Sequence, residues 1–552
     1  MASSENLQTI RRDQDIDGWR VRIYFWSRDI QLLSVIALLI FALAGGLGWF
    51  LRNPKPQQNL APNGGKPQVS LHQELKKEEP DPVLIFEAIA AETFTLEGEV
   101  ATGTPEKWIT DSKLTTDGKQ IAIAYLNSVT AADGLPSADL FFYSHWVKPF
   151  RFANELVGDL RFRSGSVHKA RKYYEREIQL HDAATARKKL IEMYSGLRDF
   201  DTLGPLAKDP AYREHLSLHM TILLAAHERR WGDIIKPLGA YEMTMWKPVP
   251  VILAIVAGVV WMAIALQAIQ PHSWFGFRTV VPFIAVLAGM LSTWPTSFAG
   301  IWEERVWELR ETGEFLPDLL YYVVGVGPRE ELIKLLFFLP FLPFLLRRGS
   351  RLEMLMVAGC VGLGFAIEKN LQYFEHAGPA AAFGRFLTAN FFHLAATGVI
   401  GLALCDALRA PRRKFLPFVA TLFCVTLAHG FYDAFLGVAG LQVLSIFSMI
   451  AYLLLALYFF RQLRTLRDGA TDQLSIAATL VVGLAVVVAV MFVLAARLLG
   501  YELAGTALAI NGPGLIMVYY IFYWQFGEGM SSVEQTPEEA AFNGSRHPAF
   551  NS

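Results

Sequence analysis

Two adjacent carboxylates and a lysine begin one of the most apolar stretches of the chain, GPREELIKLLFFLP at 327–340. On a helix, Lys334 follows Glu330 by four residues and Glu331 by three, so its ammonium can pair with either carboxylate. Two neighbouring carboxylates resist ionising together, which leaves one of them able to hold a proton. General acid and base catalysis on a water molecule needs such a pair. The stretch therefore predicts hydrolytic chemistry, with a capped helix start at a membrane interface as the structural alternative.

Polar side chains also interrupt the apolar stretch GLGFAIEKNLQYF at 362–374. Its glycines allow close approach to another helix, and Glu368, Asn370 and Tyr373 supply polar atoms. Glu368 and Tyr373 are five residues apart and do not share a helical face cleanly. Lys369 is long enough to extend to the membrane interface. Glu368 and Asn370 are the site candidates in this stretch.

Two histidines occur in the apolar stretches that follow, RFLTANFFHLAATG and LAHGFYDAF. Asn390, His393 and Thr397 lie at positions i, i+3 and i+7, so they form one polar stripe on a helix. His429 and Asp433 are four residues apart on one helical face, which suits an aspartate that orients an imidazole, or two metal ligands. A single buried histidine more often serves helix packing, but the polar stripe and the neighbouring charged stretches favour a functional role.

These stretches belong to a chain with the composition of a membrane protein. It has 552 residues, of which 53% are hydrophobic and 18% charged, with a net charge of −1. This balance argues against a nucleic-acid binder. Apolar runs of about 20 residues can cross the roughly 30 Å of bilayer hydrocarbon as helices. About ten spans are predicted, at 31–51, 249–270, 279–300, 318–346, 352–374, 383–408, 415–438, 441–460, 474–498 and 507–526.

Lysines and arginines in the short loops predict the orientation of the chain. With this set of spans, every basic cluster falls on one side, which is the cytoplasm, and both termini share it. Residues 52–248 then lie outside the cytoplasm, as a Pro-rich linker followed by helices that resemble tetratricopeptide-type hairpins or a generic helical bundle. The basic clusters are Arg11/Arg12/Arg20/Arg22/Arg28, Arg347/Arg348/Arg351, Arg409/Arg412/Arg413/Lys414 and Arg461/Arg464/Arg467.

The predicted fold is an all-α polytopic membrane protein with an extracytoplasmic, mainly helical domain inserted after the first span. Its segments are a cytoplasmic N-terminal segment (1–30), the first transmembrane helix (31–51), the extracytoplasmic domain with its linker (52–248), transmembrane helices with an outer loop (249–317), the membrane core that carries the polar groups (318–440), C-terminal transmembrane helices (441–526) and a disordered cytoplasmic tail (527–552).

The four polar groups fall on four consecutive predicted spans. Because these spans alternate in direction, all four groups lie in the outer half of the membrane and can converge on one site. An ionisable residue inside a span indicates a functional site by default, since its insertion is unfavourable by roughly 2.5–3.5 kcal/mol. Snorkelling near a span end, or structural pairing between helices, is the alternative.

The order of these motifs resembles the PrsW family of intramembrane proteases, which is related to the prenyl-protein endopeptidases that process CAAX termini. The shared elements are E-E-x-x-K, a Gly-rich span ending in Glu…Asn…Tyr, a span with one histidine, and H-x-x-x-D, all within 320–440. One feature departs from the family pattern, which places the glutamate directly before the asparagine. Here Lys369 holds that place and Glu368 precedes it, a rotation of about 100° on a helix.

The resemblance implies hydrolysis of a peptide bond by an activated water. Glu331, together with Glu330, would be the general base and acid, and Lys334 would keep one carboxylate ionised. Glu368 would be the glutamate of the second span.

The resemblance also implies roles for the other polar groups. His393 and His429 would polarise the scissile carbonyl or stabilise the oxyanion, and Asn370 would donate a further hydrogen bond. Asp433 would orient His429.

The role of a metal stays open in the sequence. The family is described both as metalloproteases and as glutamic-type proteases. His393, His429 and Glu331 could hold Zn²⁺ with an open fourth position, yet the chain has no H-E-x-x-H motif and these ligands would come from different spans. Water activation without a cofactor is slightly favoured, and Zn²⁺ is the alternative.

The expected partners are a membrane-protein substrate and the lipid bilayer, without nucleic acid. The extracytoplasmic domain is expected to position the substrate or to bind another protein. The expected process is regulated proteolysis, and the expected location is the bacterial inner membrane. A proton- or ion-coupled transporter is a second hypothesis, because buried Glu, His and Asp also form proton relays, although the four-span unit is not repeated. A membrane receptor or scaffold acting through the soluble domain is a third.

Overall fold

The structure is a computed structural model. It describes residues 26–51 except 28, 70–95, 102–131, 134–269, 276–438, 440–467, 475–506 and a few single residues beyond, with the backbone alone at 30, 277 and 375–387. The predicted linker at 52–69, the basic N-terminal cluster, most of the predicted span 507–526 and the C-terminal tail lie outside the described residues. Every regular element that is described is a helix, the first being α1 (Ile30–Leu51).

The chain divides into two compact units, and Gln58–Tyr241 is one of them. Several of its helices begin at capping residues: Asp81, Thr104 and Ser217 each accept a backbone N–H of the following turn. The helices are α2 (Leu71–Leu75), α3 (Pro82–Ala90), α4 (Pro105–Asp111), α5 (Thr116–Val129), α6 (Ala138–His145), α7 (Ala153–Arg163), α8 (Val167–His181), α9 (Ala184–Gly196), α10 (Phe200–Leu206), α11 (Pro210–Arg213), α12 (Leu218–His227) and, across the end of the unit, α13 (Ile235–Met243).

This unit has two apolar clusters of its own. One contains the fully buried Ile85 and Tyr125, and the other contains Tyr174 and Leu190. The segment is thus mainly helical, as predicted, while its extracytoplasmic location stays a prediction.

The second unit holds α1 and the helices from α14 onward. Seven of its helices are long and apolar enough to cross a membrane, among the described residues: Gln31–Leu51, Pro248–Ile269, Arg278–Trp307, Thr388–Arg409, Pro411–Gly437, Ile446–Leu466 and Ile476–Leu499. An all-helical protein with several candidate membrane spans is therefore confirmed, and the count of about ten stays a prediction. The elements are α14 (Pro248–Ile269), α15 (Phe277–Trp307), α16 (Phe315–Leu320), α17 (Gly327–Phe338), α18 (Leu342–Arg348), α19 (Arg351–Arg409), α20 (Pro411–Gly437), α21 (Ile446–Leu466) and α22 (Ile476–Leu499).

The predicted span 318–346 is a broken element. α16 continues into a π-helix at Tyr321–Val326, and a 3₁₀ turn at Leu339–Phe341 separates α17 from α18. Pro328 lies in the first turn of α17, where its missing N–H is tolerated, and Pro340 and Pro343 mark the second break. A π-helix changes the register of the side chains that follow, and such turns are frequent at functional sites.

The predicted spans 352–374 and 383–408 form the two limbs of α19. A straight helix of this length would measure about 90 Å, yet Arg351 Nη2 lies 2.6 Å from Asp406 Oδ2. Within the bundle, a Cβ on Gly362 would lie 2.1 Å from the carbonyl oxygen of His393. The helical run therefore reverses direction, and glycine lets the antiparallel limbs touch at the level of His393.

Candidate active site

The polar groups of α17, both limbs of α19 and α20 meet inside the apolar core. α17 begins against the backbone of α20, since a Cβ on Gly327 would lie 2.4 Å from the carbonyl oxygen of Thr426 and 2.8 Å from the nitrogen of Gly430. This close contact brings the two glutamates beside His429. The side chains of the cluster are almost fully buried: Glu330, Glu331, Lys334, Asn370, Asn390, His393, Thr397 and His429 are each at most 5% exposed.

Glu331 is the most completely bonded carboxylate of the site. Its Oε1 accepts from Lys334 Nζ at 2.6 Å and contacts His429 Nδ1 at 2.8 Å. Its Oε2 accepts from Thr397 Oγ1 at 3.2 Å. Donors from three elements thus converge on an ionised, fully buried carboxylate, which is the condition under which such a charge is tolerated in an apolar core.

Glu330 has longer contacts. Its Oε1 is 3.6 Å from Lys369 Nζ, and its Oε2 is 3.5 Å from His429 Nε2. Both separations exceed a normal hydrogen bond. Glu330 is therefore held by charge, while its oxygen lone pairs stay available to a third group.

His393 bonds to Lys334, whose Nζ lies 3.1 Å from Nδ1 of the ring. A lysine ammonium has no lone pair, so Nδ1 must accept, and a neutral imidazole that accepts at Nδ1 carries its proton on Nε2. The ammonium also lies 4.4 Å from the centre of the Phe365 ring, a cation–π contact. His393 is thereby fixed as a hydrogen-bond donor through Nε2.

Both ring nitrogens of His429 face carboxylates. Nδ1 contacts Glu331, and Nε2 lies 3.4 Å from Asp433 Oδ2 and 3.5 Å from Glu330 Oε2. These surroundings suit a doubly protonated imidazolium, in which Nδ1 donates to Glu331 and the Nε2–H faces two carboxylates at longer distances. The aspartate predicted to orient His429 lies where it can do so.

Three successive residues of α19 point in three directions. Glu368 Oε1 accepts from the indole Nε1 of Trp246 at 2.9 Å, Lys369 faces Glu330, and Asn370 Nδ2 donates to Asn390 Oδ1 at 3.3 Å. Steps of about 100° per residue produce this divergence. The contact of Glu368 is thus with Trp246, and it is the next residue, Lys369, that reaches the carboxylate pair.

Sequence reasoning missed the support behind the glutamates. Arg329 pairs through Nη1 with Glu303 Oε2 of α15, and the two side chains are 8% and 11% exposed. A Cβ on Gly300 would lie 3.3 Å from the Arg329 guanidinium. The signal in the sequence was a second pair of charges, Glu303 and Glu304, at the end of a long apolar run.

A divalent metal does not fit this arrangement as it stands. Glu330, His393 and His429 each place one donor atom within 4.8 Å of the others, and these residue types hold zinc in three-ligand sites. However, His393 has no free lone pair, because Lys334 occupies Nδ1 and the proton occupies Nε2. Glu331, the carboxylate of the predicted zinc set, is bonded to Lys334. Two ammonium groups, those of Lys334 and Lys369, would also repel the ion.

Residues 278–462 match the family model of the PrsW family intramembrane metalloproteases. The match contains every residue of the cluster and confirms the resemblance that the motifs carry. It supports an intramembrane protease, and with it a membrane-bound peptidase whose substrates are membrane proteins. No curated protein and no solved structure matches the chain.

Proposed function

We propose that this protein hydrolyses a peptide bond within or beside the membrane segment of a membrane-protein substrate, by a water that its glutamates activate. The observation that carries the proposal is the buried, charged cluster of Glu330, Glu331, Lys334, His393 and His429. Burying these charges in an apolar bundle is unfavourable. A packing role alone would be filled at lower free energy by apolar side chains.

The two glutamates divide the acid and base work. Glu330 accepts the proton of the attacking water, which is supported by its free lone pairs. Glu331 stays ionised and orients His429, which is supported by its three donors. The water oxygen attacks the carbonyl carbon, and the proton taken by Glu330 then passes to the leaving nitrogen as the C–N bond breaks. The products are a carboxylic acid and an amine.

The oxyanion of the tetrahedral intermediate needs hydrogen-bond donors. His393 through Nε2–H and the His429 imidazolium are the proposed donors, with Asn370 as a further one. Asp433 keeps His429 oriented, as its distance of 3.4 Å from Nε2 supports. Glu368 acts indirectly in this scheme, through Trp246.

The proposed reaction requires no metal. The family name includes the word metalloprotease, and the zinc alternative, with His393, His429 and a glutamate as ligands, would require the Lys334–His393 contact to break. The metal-free mechanism is supported by that contact and by the bonded state of Glu331.

The orientation of the chain completes the proposal. Both termini lie on the cytoplasmic side of a bacterial inner membrane, and the unit Gln58–Tyr241 lies outside the cytoplasm. There it selects or positions the substrate, or binds a regulatory protein, so that cleavage responds to an external signal. The basic loops 347–351 and 409–414 support this orientation.

The test is cleavage by the purified full chain in detergent of a panel of fluorescent single-span membrane proteins with varied transmembrane sequences. Glu330→Gln and Glu331→Gln are each expected to slow cleavage at least about 100-fold, the usual share of general acid–base catalysis. Glu314→Gln, on an exposed glutamate without a capping hydrogen bond, is the matched control. Each protein is assayed with and without 1,10-phenanthroline.

Cleavage that the chelator leaves intact and the two site variants lose supports the metal-free mechanism. Loss with chelator, restored by Zn²⁺, would overturn that mechanism but not the protease. If both site variants cut as fast as wild type, or if wild type cuts no member of the panel, the proposed function is wrong.

A further inference from the structure

We propose that Lys369 is a positioning residue of the active site, which holds the charged carboxylate of Glu330 in place without occupying its lone pairs. The inference rests on the proposed function and deepens it. Lys369 Nζ lies 3.6 Å from Glu330 Oε1, and its side chain is 24% exposed.

The two lysines of the site have different roles because they lie at different distances from their partner glutamates. Lys334 Nζ lies 2.6 Å from Glu331 Oε1 and takes up acceptor capacity of that carboxylate. Lys369, a full ångström further from its partner, gives electrostatic attraction without a hydrogen bond. Each glutamate thus has its own cation, but only Glu330 is left able to accept from a water.

The charges of the cluster balance only when Lys369 is included. Three carboxylates, those of Glu330, Glu331 and Asp433, face one another around His429. Lys334 and a protonated His429 supply two positive charges. Without Lys369, the excess negative charge would fall on Glu330, the carboxylate with the longest contacts, and repulsion from the other two carboxylates would favour its movement away from the site.

The direction of Lys369 is fixed by its neighbours on the helix. Glu368 is held by Trp246 at 2.9 Å on one side, and Asn370 is held by Asn390 at 3.3 Å on another.

A further contact holds the same limb of α19. Gln372 donates to Glu242, which also accepts from Ser297. These bonds set the rotation of the limb, so the residue between Glu368 and Asn370 must face Glu330.

The experiment uses the full chain and the reporter cut best by wild type. Lys369→Met is expected to lower kcat about 10- to 100-fold, a fraction of the usual acid–base contribution, with little change in KM. Lys369→Arg, which restores the positive charge, is expected to recover most of the rate. Lys414→Met, the same change at an exposed residue at the start of α20, is the control.

A double-mutant cycle separates positioning from a general structural effect. In the Glu330→Asp variant, the shorter side chain no longer places its carboxylate beside Lys369. Lys369→Met should therefore lower kcat much less in this variant than in wild type. A structural role would lower kcat equally in both backgrounds and would lower the midpoint of thermal unfolding in both.

The outcomes distinguish this inference from the proposed function. If wild type cleaves and Glu330→Gln does not, the proposed function holds. Should Lys369→Met then cleave at the wild-type rate, or Lys369→Arg fail to recover activity, the inference is overturned while the protease stands. If Glu330→Gln retains full activity, the proposed function fails and this inference fails with it.

Discussion

The charged side chains of the site stabilise one another only as a set. Lys334 and Glu331 are both fully buried, and the lysine also bonds His393 and lies over the Phe365 ring. Removing one partner of a buried pair leaves an uncompensated charge, which is far less favourable than removing both. At this scale, stability and catalysis depend on the same atoms.

Lys334→Met is therefore expected to destabilise the protein more than any single neutral change in the site. The unpaired Glu331 should lower the free energy of unfolding by about 3–5 kcal/mol. Thermal unfolding of the detergent-solubilised protein, followed by tryptophan fluorescence, measures this loss. The double variant Lys334→Met/Glu331→Gln should recover a large part of the stability while staying inactive. Equal stability of the single and double variants would contradict the pairing.

Residue spacing predicted part of the site and missed another part. Asn390, His393 and Thr397 were predicted on one stripe, and each contacts the cluster or its support, because a single helix fixes their relative directions. Spacing could not tell whether Glu368 or Lys369 faces Glu330. That choice depends on the rotation of the limb, which Trp246 sets from 122 residues away.

The elements of the site pack through backbone contact. α17 lies against α20 at Gly327, and Gly430 faces the π-helix so closely that a Cβ there would lie 2.6 Å from the Cα of Val323. The apolar run predicted one span at 318–346, and the structure divides it at a π-helix and a 3₁₀ turn. Spans 352–374 and 383–408 were predicted to run in opposite directions, as the two limbs of α19 do. The π-helix at Tyr321–Val326 was not predictable, because it depends on contacts between distant segments.

Gly327→Ala is expected to separate α17 from α20 and to reduce cleavage strongly. The added methyl group would lie 2.4 Å from the carbonyl oxygen of Thr426, and relieving such overpacking typically costs about 1–3 kcal/mol. Glu331 would then move away from His429, so cleavage should fall by more than the loss of thermal stability explains. Gly46→Ala is the control, since a Cβ there meets nothing within 4 Å. Similar activities of the two variants would show that the close contact does not position the site.

The molecule combines two units with separate cores. The unit Gln58–Tyr241 has its own apolar clusters and a partly buried charged group, in which Lys189 contacts Glu155 at 2.7 Å and Asp159 at 2.6 Å. Helical periodicity predicted that this segment is mainly helical. Its arrangement was not predictable, because no regular repeat fixes which helices pair.

The unit Gln58–Tyr241 is expected to fold alone, as residues 70–241, and to lose stability above pH 10. Burial, followed by the charge of Asp159, raises the pKa of Tyr125 and of Tyr174. Unfolded tyrosines ionise near pH 10, while the folded ones keep their protons to higher pH. The unfolded state therefore binds fewer protons in this range, and stability, fully present below pH 10, falls as the pH rises. At pH 11 the loss should be about 1 kcal/mol for each tyrosine.

Urea unfolding followed by circular dichroism at pH 8 and pH 11 measures this loss of stability, and Tyr174→Phe should reduce the difference between the two midpoints. A fragment that is unfolded at pH 8 would refute independent folding, whereas equal midpoints at both pH values would refute the role of the buried tyrosines.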